Sequence, residues 1–214
     1  MHKPDFIFLD FDGVIMDSMA LKLDSYCHAF AGMGFDREAI RALQLASAGL
    51  SRQKTIPLMY ESLSGQPMPD GVYREALARF TDHDDASRSS MVLMPGAEAF
   101  LTAARREGVW LAIVTGTPQE VIEKTVSHFD IGRFFVRVCG SPGGKAEHLG
   151  RMLREFGLSA ERCLYVGDAI KDQEAAAAVG MPFVGVNTDF AVFRAGDLAL
   201  LVPDLGHLIP ALQS

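Results

Sequence analysis

A chain of 214 residues, 49% of them hydrophobic, has enough apolar side chain for a large buried core, which excludes a disordered or low-complexity protein. A net charge of -7 and a pI near 5.3 argue against a general nucleic-acid binder, which would carry a clustered basic surface. Three scattered cysteines, Cys27, Cys139 and Cys163, lack metal-ligand spacing and suit a reducing cytoplasm, and no apolar run before the first motif resembles a signal peptide or membrane span.

The chain opens on FIFLDFDGVIMDS, residues 6–18. Four apolar residues without alternation predict a strand buried on both faces, as in the middle of a parallel sheet. The strand delivers Asp10 and Asp12 into a turn begun by Gly13. Two ionised carboxylates at a strand end are costly to bury unless they share a cation, and magnesium takes one or two protein carboxylates while leaving room for water and phosphate. Alone, an Asp-x-Asp reads equally well as a solvated turn. The recurrence of aspartates in VGDAIKDQEAA, with a Thr and a Lys at comparable positions between, favours a site.

Helical spacing predicts a helix over residues 19–33, then three more over 36–45, 51–63 and 70–80, begun by Asp36, Ser51 and Asp70 as N-caps. The polar stretch HDDASRSS, residues 83–90, reads as a linker back to the first unit. An all-helical insert over residues 16–90 is therefore expected, with hinges near Met16 and Ser90.

From Met91 strands and helices alternate. Strands are predicted over 109–114, 135–139, 163–166, 183–186 and 198–202, and helices over 96–108, 118–129, 145–156, 172–179 and 205–212. This alternation implies an open parallel sheet with helices on both faces, built from residues 1–15 and 91–214. Ligands of such sheets bind beyond the carboxyl ends of the strands, a rim that would gather Asp10, Thr115 and Asp168.

The residue types at that rim suit phosphoryl transfer. Asp10 can attack phosphorus to give an aspartyl-phosphate, which water then hydrolyses. Asp12 can protonate the leaving oxygen and later take a proton from the attacking water. Thr115 and the Gly116 amide could hold phosphoryl oxygens. Lys145 starts a helix, where the helix dipole does not favour a cation, so a role in neutralising the nucleophile and the developing charge is expected. Asp168 would be a metal ligand, and Asp172 a helix cap that also supports the metal or orients Lys145.

With DFDGVIMDS, VTGT, Lys145 and GDAIKD followed by EAAAAVGMP in this order, the chain resembles the haloacid dehalogenase superfamily, in the branch whose helical cap follows the first strand. The resemblance implies a Rossmann-like three-layer core, Mg2+ held by Asp10, Asp168 and the backbone carbonyl of Asp12, and a nucleophile at Asp10. The family's dehalogenases lack an acid two residues after the nucleophile, so Asp12 argues for phosphoryl transfer. Two departures stand out: Gly116 where family phosphatases often carry Asn, and Ala146 where Pro often follows the motif lysine.

The cap stretch AGLSRQ is similar to the substrate loop of phosphoglycolate phosphatase and beta-phosphoglucomutase relatives, which makes Arg52 a candidate for an anionic group of the substrate. Lys22 stands where the mutases carry a His, which speaks against mutase activity. Lys54 lies where a phosphonate-cleaving relative would carry its Schiff-base lysine, but its flanks differ. The expected protein is a cytoplasmic, monomeric or homodimeric Mg2+-dependent phosphatase of a small phosphorylated metabolite, phosphoglycolate or a sugar phosphate. The competing readings are a phosphomutase, and a non-enzymatic phosphoacceptor or metabolite-binding relative.

Overall fold

The computed structural model describes residues 3–189, 191, 193–194 and 198–213. Strand β1, Phe6–Leu9, is wholly buried. The chain then crosses a two-residue strand, β2 (Met16–Asp17), into four helices: α1 (Met19–Ala29), α2 (Arg37–Ala46), α3 (Arg52–Ser64) and α4 (Asp70–Ser87). It returns through β3 (Val92–Leu93), which pairs antiparallel with β2. The rest alternates: α5 (Ala97–Arg106), β4 (Trp110–Pro118), α6 (Gln119–His128), β5 (Arg137–Ser141), α7 (Lys145–Glu155), β6 (Cys163–Gly167), α8 (Ile170–Ala178), β7 (Phe183–Val186) and β8 (Leu200–Val202).

Six of these strands form one sheet in the order β5-β4-β1-β6-β7-β8, and every pairing in it is parallel. The lack of polar alternation in β1 has a direct cause. Ile7 and Leu9 enter the layer that also holds Phe100, Ile122 and Leu208, while Phe6 and Phe8 enter the opposite layer with Leu149, Met152 and Ala176. Both faces are covered, so both sets of side chains are apolar. The architecture is the Rossmann-like three-layer sandwich that the alternation implied.

Helices α1–α4 carry a separate apolar cluster centred on Tyr26, Phe30, Ile56, Met59 and Phe80. The cap on α2 is as read from the sequence, with the Asp36 carboxylate accepting from the Ala39 amide at 3.0 Å.

Four expectations need correction. Helix α4 does not stop at Phe80 but runs to Ser87, through most of the stretch read as a linker, because Asp84 is buried and its carboxylate pairs with Arg52 and, one turn on, with Arg88. Pro69, rather than Asp70, sits at its N-cap. The β2–β3 ribbon went unpredicted, since two residues per strand carry no periodicity. The terminal segment Leu205–Leu212 is a 3-10 helix rather than an α-helix, and Pro210 within it lacks an amide donor.

Phe80 packs its ring 4.7 Å from that of Tyr26 and carries the Arg52 guanidinium 4.9 Å above its centre. Phe80→Ala is expected to destabilise the protein by about 3–5 kcal/mol. Urea unfolding followed by circular dichroism measures this, and a loss below about 1 kcal/mol would mean the helical cluster is not cooperative with the rest.

Candidate active site

Parallel pairing places the chemistry. Leu9 lies beside Ile113 on one flank and Val166 on the other, and the Asp10 amide donates to the Val166 carbonyl at 2.8 Å. The residues just beyond β1 and β6, together with Thr115 in β4, therefore share one rim. Helices α7 and α8 start at the same rim and bring in Lys145 and Asp172.

Asp10 Oδ1 accepts from the Phe11 amide and Oδ2 from Lys145 Nζ, both at 2.8 Å. The same ammonium donates to Asp172 Oδ1 at 2.5 Å. The Tyr165 hydroxyl lies 2.7 Å from that oxygen, and the Ala169 amide donates to Asp172 Oδ2 at 3.1 Å. Asp172 is thus a cap for α8 and an anchor for Lys145 at once. Burial works against the Lys145 charge, but Asp10 and Asp172 outweigh it and raise its pKa.

One carboxylate oxygen from each of Asp10, Asp168 and Asp172 lies within 4.8 Å of the others. Burial raises the Asp10 pKa from 3.8 to about 7, with the nearby Asp172 charge adding to it and Lys145 opposing. Asp168 is pushed well above the carboxylate range, again by burial first and then by the charge of Asp10. Its Oδ2 is buried without a hydrogen-bond partner. A Cβ on Gly13, whose φ is +77°, would stand 2.1 Å from that oxygen, so only glycine lets the turn cradle it. Hard oxygen donors, a surplus of negative charge and an orphaned carboxylate oxygen fit a divalent cation such as Mg2+.

Asp12 sits in a different environment, and its carboxylate lies outside that group. It accepts from Ser18 Oγ at 2.6 Å, from Thr117 Oγ1 at 2.8 Å and from Lys22 Nζ. Burial would raise its pKa, but the Lys22 charge and these three hydrogen bonds hold it below the usual carboxylate value. The neighbouring Thr115 Oγ1 accepts from the Thr117 amide at 3.2 Å.

Helices α1 and α2 and the loop after α2 close over this rim. Lys22, Tyr26, Gln44 and the loop 47–50 line a cavity of about 50 Å³ together with Asp10, Asp12, Thr115, Gly116, Lys145 and Asp168. The contact is close at Gly116, where a Cβ would meet the Gly49 carbonyl oxygen at 2.9 Å. The cap loop, not only a ligand, demands the missing side chain there. Lys54 lines a neighbouring cavity of about 280 Å³ instead, next to Lys145 and Lys171. Lys171 pairs with Glu174 at 2.7 Å, which turns it from the carboxylates.

Arg52 departs from the expectation. It is only 7% exposed and is absent from the walls of the cavity that holds Asp10. Its guanidinium points into the helical region, 3.4 Å from Asp84 and 3.3 Å from Thr81. The position at the start of α3 is correct, but the helix face is the inner one. Among the residues of the site that were not singled out for it are Ser18 and Thr117, which lay within quoted motifs, Lys22, noted only for what it replaces, Tyr26 and Gln44, which carry no signal beyond their places on helices, and Tyr165, inside a buried strand.

Removing one partner of a buried ion pair leaves the other uncompensated, so Arg52→Ala should cost about 3–5 kcal/mol of stability. Its kinetic effect should be the same for every phosphate ester, whereas a KM rise for one anionic substrate alone would return Arg52 to the site. A second expectation concerns pH. Asp10 binds its proton more tightly folded than unfolded, so the metal-free protein loses stability as pH rises through the interval from 3.8 to about 7. A divalent cation relieves that repulsion. Thermal unfolding should show a larger upward shift on adding Mg2+ at about pH 8 than at about pH 5, and equal shifts would contradict the carboxylate assignment.

Known proteins resemble this chain along most of its length. Residues 7–186 match the family described as haloacid dehalogenase-like hydrolase. A phosphoglycolate phosphatase of Pseudomonas putida is 24% identical over 215 residues, spanning 97% of this chain and 79% of that protein. Among solved structures, a predicted phosphoglycolate phosphatase from Haemophilus somnus superposes with a TM-score of 0.80 at 18% identity, covering 98% of each chain. CbbY from Rhodobacter sphaeroides, solved in complex with phosphate, also gives 0.80, at 21% identity over 99% of this chain and 100% of that one. The match runs through β1 at one end and β7 at the other, across every carboxylate just described, and the chain belongs to the haloacid dehalogenase-like hydrolases.

Proposed function

We propose that the protein is a Mg2+-dependent phosphatase that hydrolyses a small phosphorylated metabolite through an aspartyl-phosphate on Asp10. The observation that carries this reading is the Asp10 carboxylate itself: it is buried, hydrogen-bonded to Lys145 and grouped with Asp168 and Asp172, in a cavity that Thr115 and Gly116 also line. The named relatives add support, since one is called a phosphoglycolate phosphatase, a second a predicted phosphoglycolate phosphatase, and a third was solved with phosphate.

In this reading Asp10 Oδ attacks phosphorus and the bond to the leaving oxygen breaks. Asp12 shuttles one proton, onto the departing oxygen in the first half and off the attacking water in the second. Ser18 and Thr117 fix the orientation of its carboxylate. Thr115 and the Gly116 amide hold phosphoryl oxygens, while Lys145, set in place by Asp172, neutralises charge between nucleophile and phosphate. Asp10, Asp168 and the Asp12 backbone carbonyl would hold Mg2+ with Asp172 in support, and the ion would stabilise negative charge on the phosphoryl group.

Residues 16–90 act as a cap over a core of residues 1–15 and 91–214. Its closure would exclude bulk water until the ester is bound, with the β2–β3 ribbon at the hinge. Phosphoglycolate and sugar phosphates are the starting candidates for the ester. Lys22 occupies the acid/base carboxylate from the cap side, in the place a mutase would need a proton-transferring group, which supports hydrolysis over transfer between two positions of one sugar.

Asp10→Asn preserves shape and removes the nucleophile. Turnover of phenyl phosphate in Mg2+ buffer is expected to fall by at least about 10³-fold, measured as released phosphate. Retained turnover would end the nucleophile assignment.

A further inference from the structure

We infer that the ester hydrolysed here has a neutral, hydroxyl-bearing leaving group rather than one carrying a second anion, and that Gln44 accepts the hydrogen bond of its hydroxyl. The inference rests on the phosphatase reading and narrows its substrate.

Gln44 belongs to α2 and is 4% exposed, yet it lines the cavity that holds Asp10 and Asp12. Its Nε2 donates to the Met19 carbonyl at 3.0 Å. A carbonyl accepts only, so the amide cannot be turned round, and Oε1 remains the free end. That oxygen is buried with no hydrogen-bond partner. Buried side-chain acceptors are nearly always matched, so one left unpartnered on a residue of the cavity lining marks where a donor from a ligand belongs. A carboxylate on the leaving group has no proton to give it, and would be repelled.

The charges around the cavity point the same way. Its walls carry three carboxylates, Asp10, Asp12 and Asp168, against two ammonium groups. Both ammonium groups are already engaged, Lys145 with Asp10 and Asp172, and Lys22 with Asp12 and, at 3.3 Å, Thr117 Oγ1. Arg52, the cation that the sequence offered for a second anion, is held by Asp84. The cap's other polar lining is neutral: burial pushes the Tyr26 phenol up to about 12, and Ser47 Oγ donates to the Leu43 carbonyl at 2.6 Å. A divalent cation and the phosphoryl dianion would roughly cancel, which leaves a further carboxylate without a counter-ion in a buried place.

The test compares two esters that differ only at the far end of the leaving group. In 2-hydroxyethyl phosphate a hydroxymethyl stands where phosphoglycolate has its carboxylate, and phenyl phosphate serves as a reference without either. With the wild-type protein and Mg2+, kcat/KM for hydroxyethyl phosphate should exceed that for phosphoglycolate at least about tenfold. In Gln44→Leu the ratio of kcat/KM between hydroxyethyl and phenyl phosphate should drop by about tenfold. A ratio taken on one preparation is insensitive to the fraction folded, and the wild-type comparison needs no variant. Phosphoglycolate turned over as well as its hydroxymethyl analogue, or a ratio unmoved in Gln44→Leu, would overturn the inference while leaving the phosphatase reading in place. Failure of the wild-type protein to hydrolyse phenyl phosphate at all would instead overturn the phosphatase reading, and this inference with it.

Discussion

The site depends on one ammonium group. Lys145 Nζ joins Asp10 and Asp172 in a buried place where two carboxylates would otherwise face each other across low dielectric. It does so from the first position of α7, where a helix dipole opposes positive charge, so local preference has yielded to the need of the site. Asp172 repays the arrangement structurally, because its other oxygen accepts from the Ala169 amide at the start of α8. Tyr165 adds a hydroxyl from inside the sheet and spans the distance to the Val114 carbonyl of β4. Asp10, Lys145, Asp172 and the sheet are thereby one hydrogen-bonded unit. Asp168 stays outside it, with one oxygen unpartnered, in a group of carboxylates that could hold a divalent ion.

The topology explains why residues so far apart in sequence meet. β1 is central and pairs with β4 and β6, so the first strand of the chain already stands between the two that carry Thr115 and Gly167. The four-helix region departs from the turn that follows Asp10 and returns through a strand paired with its own point of exit. Asp12 lies in that turn, within reach of both units. Its carboxylate accordingly receives Thr117 from the sheet side and Lys22 from α1.

Much of this was legible in the sequence because it rests on short-range rules. FIFL without alternation could only be a strand covered on both sides, and VGDAIKD after another apolar run placed a second acidic turn on the same rim. What escaped has a physical reason in each case. HDDASRSS looked like a linker because its charges seemed exposed, but Asp84 is buried by a partner thirty-two residues earlier, and no local pattern encodes that pairing. Arg52 lay in a loop of the expected kind, yet the side chain chose the inner face of α3, where Phe80 and Asp84 outcompete the cavity. Gln44 has no motif at all. Its place on the cavity wall follows from the packing of α2 against α1, and only three-dimensional contact reveals it.

Arg88 and Lys22 both link the helical region to the rest of the fold, and their positions differ in consequence. Arg88 joins the buried Asp84 to Thr125 of α6, with its Nη1 2.5 Å from the threonine hydroxyl, four residues before β3 begins. It therefore acts close in sequence to the crossing point. Lys22 acts at the cavity itself. Without Lys22, Asp12 would lose the largest of the interactions that hold its proton affinity down. Ser18 at the N-cap of α1 and Lys22 within that helix both donate to the Asp12 carboxylate, so its proton affinity depends on where α1 sits.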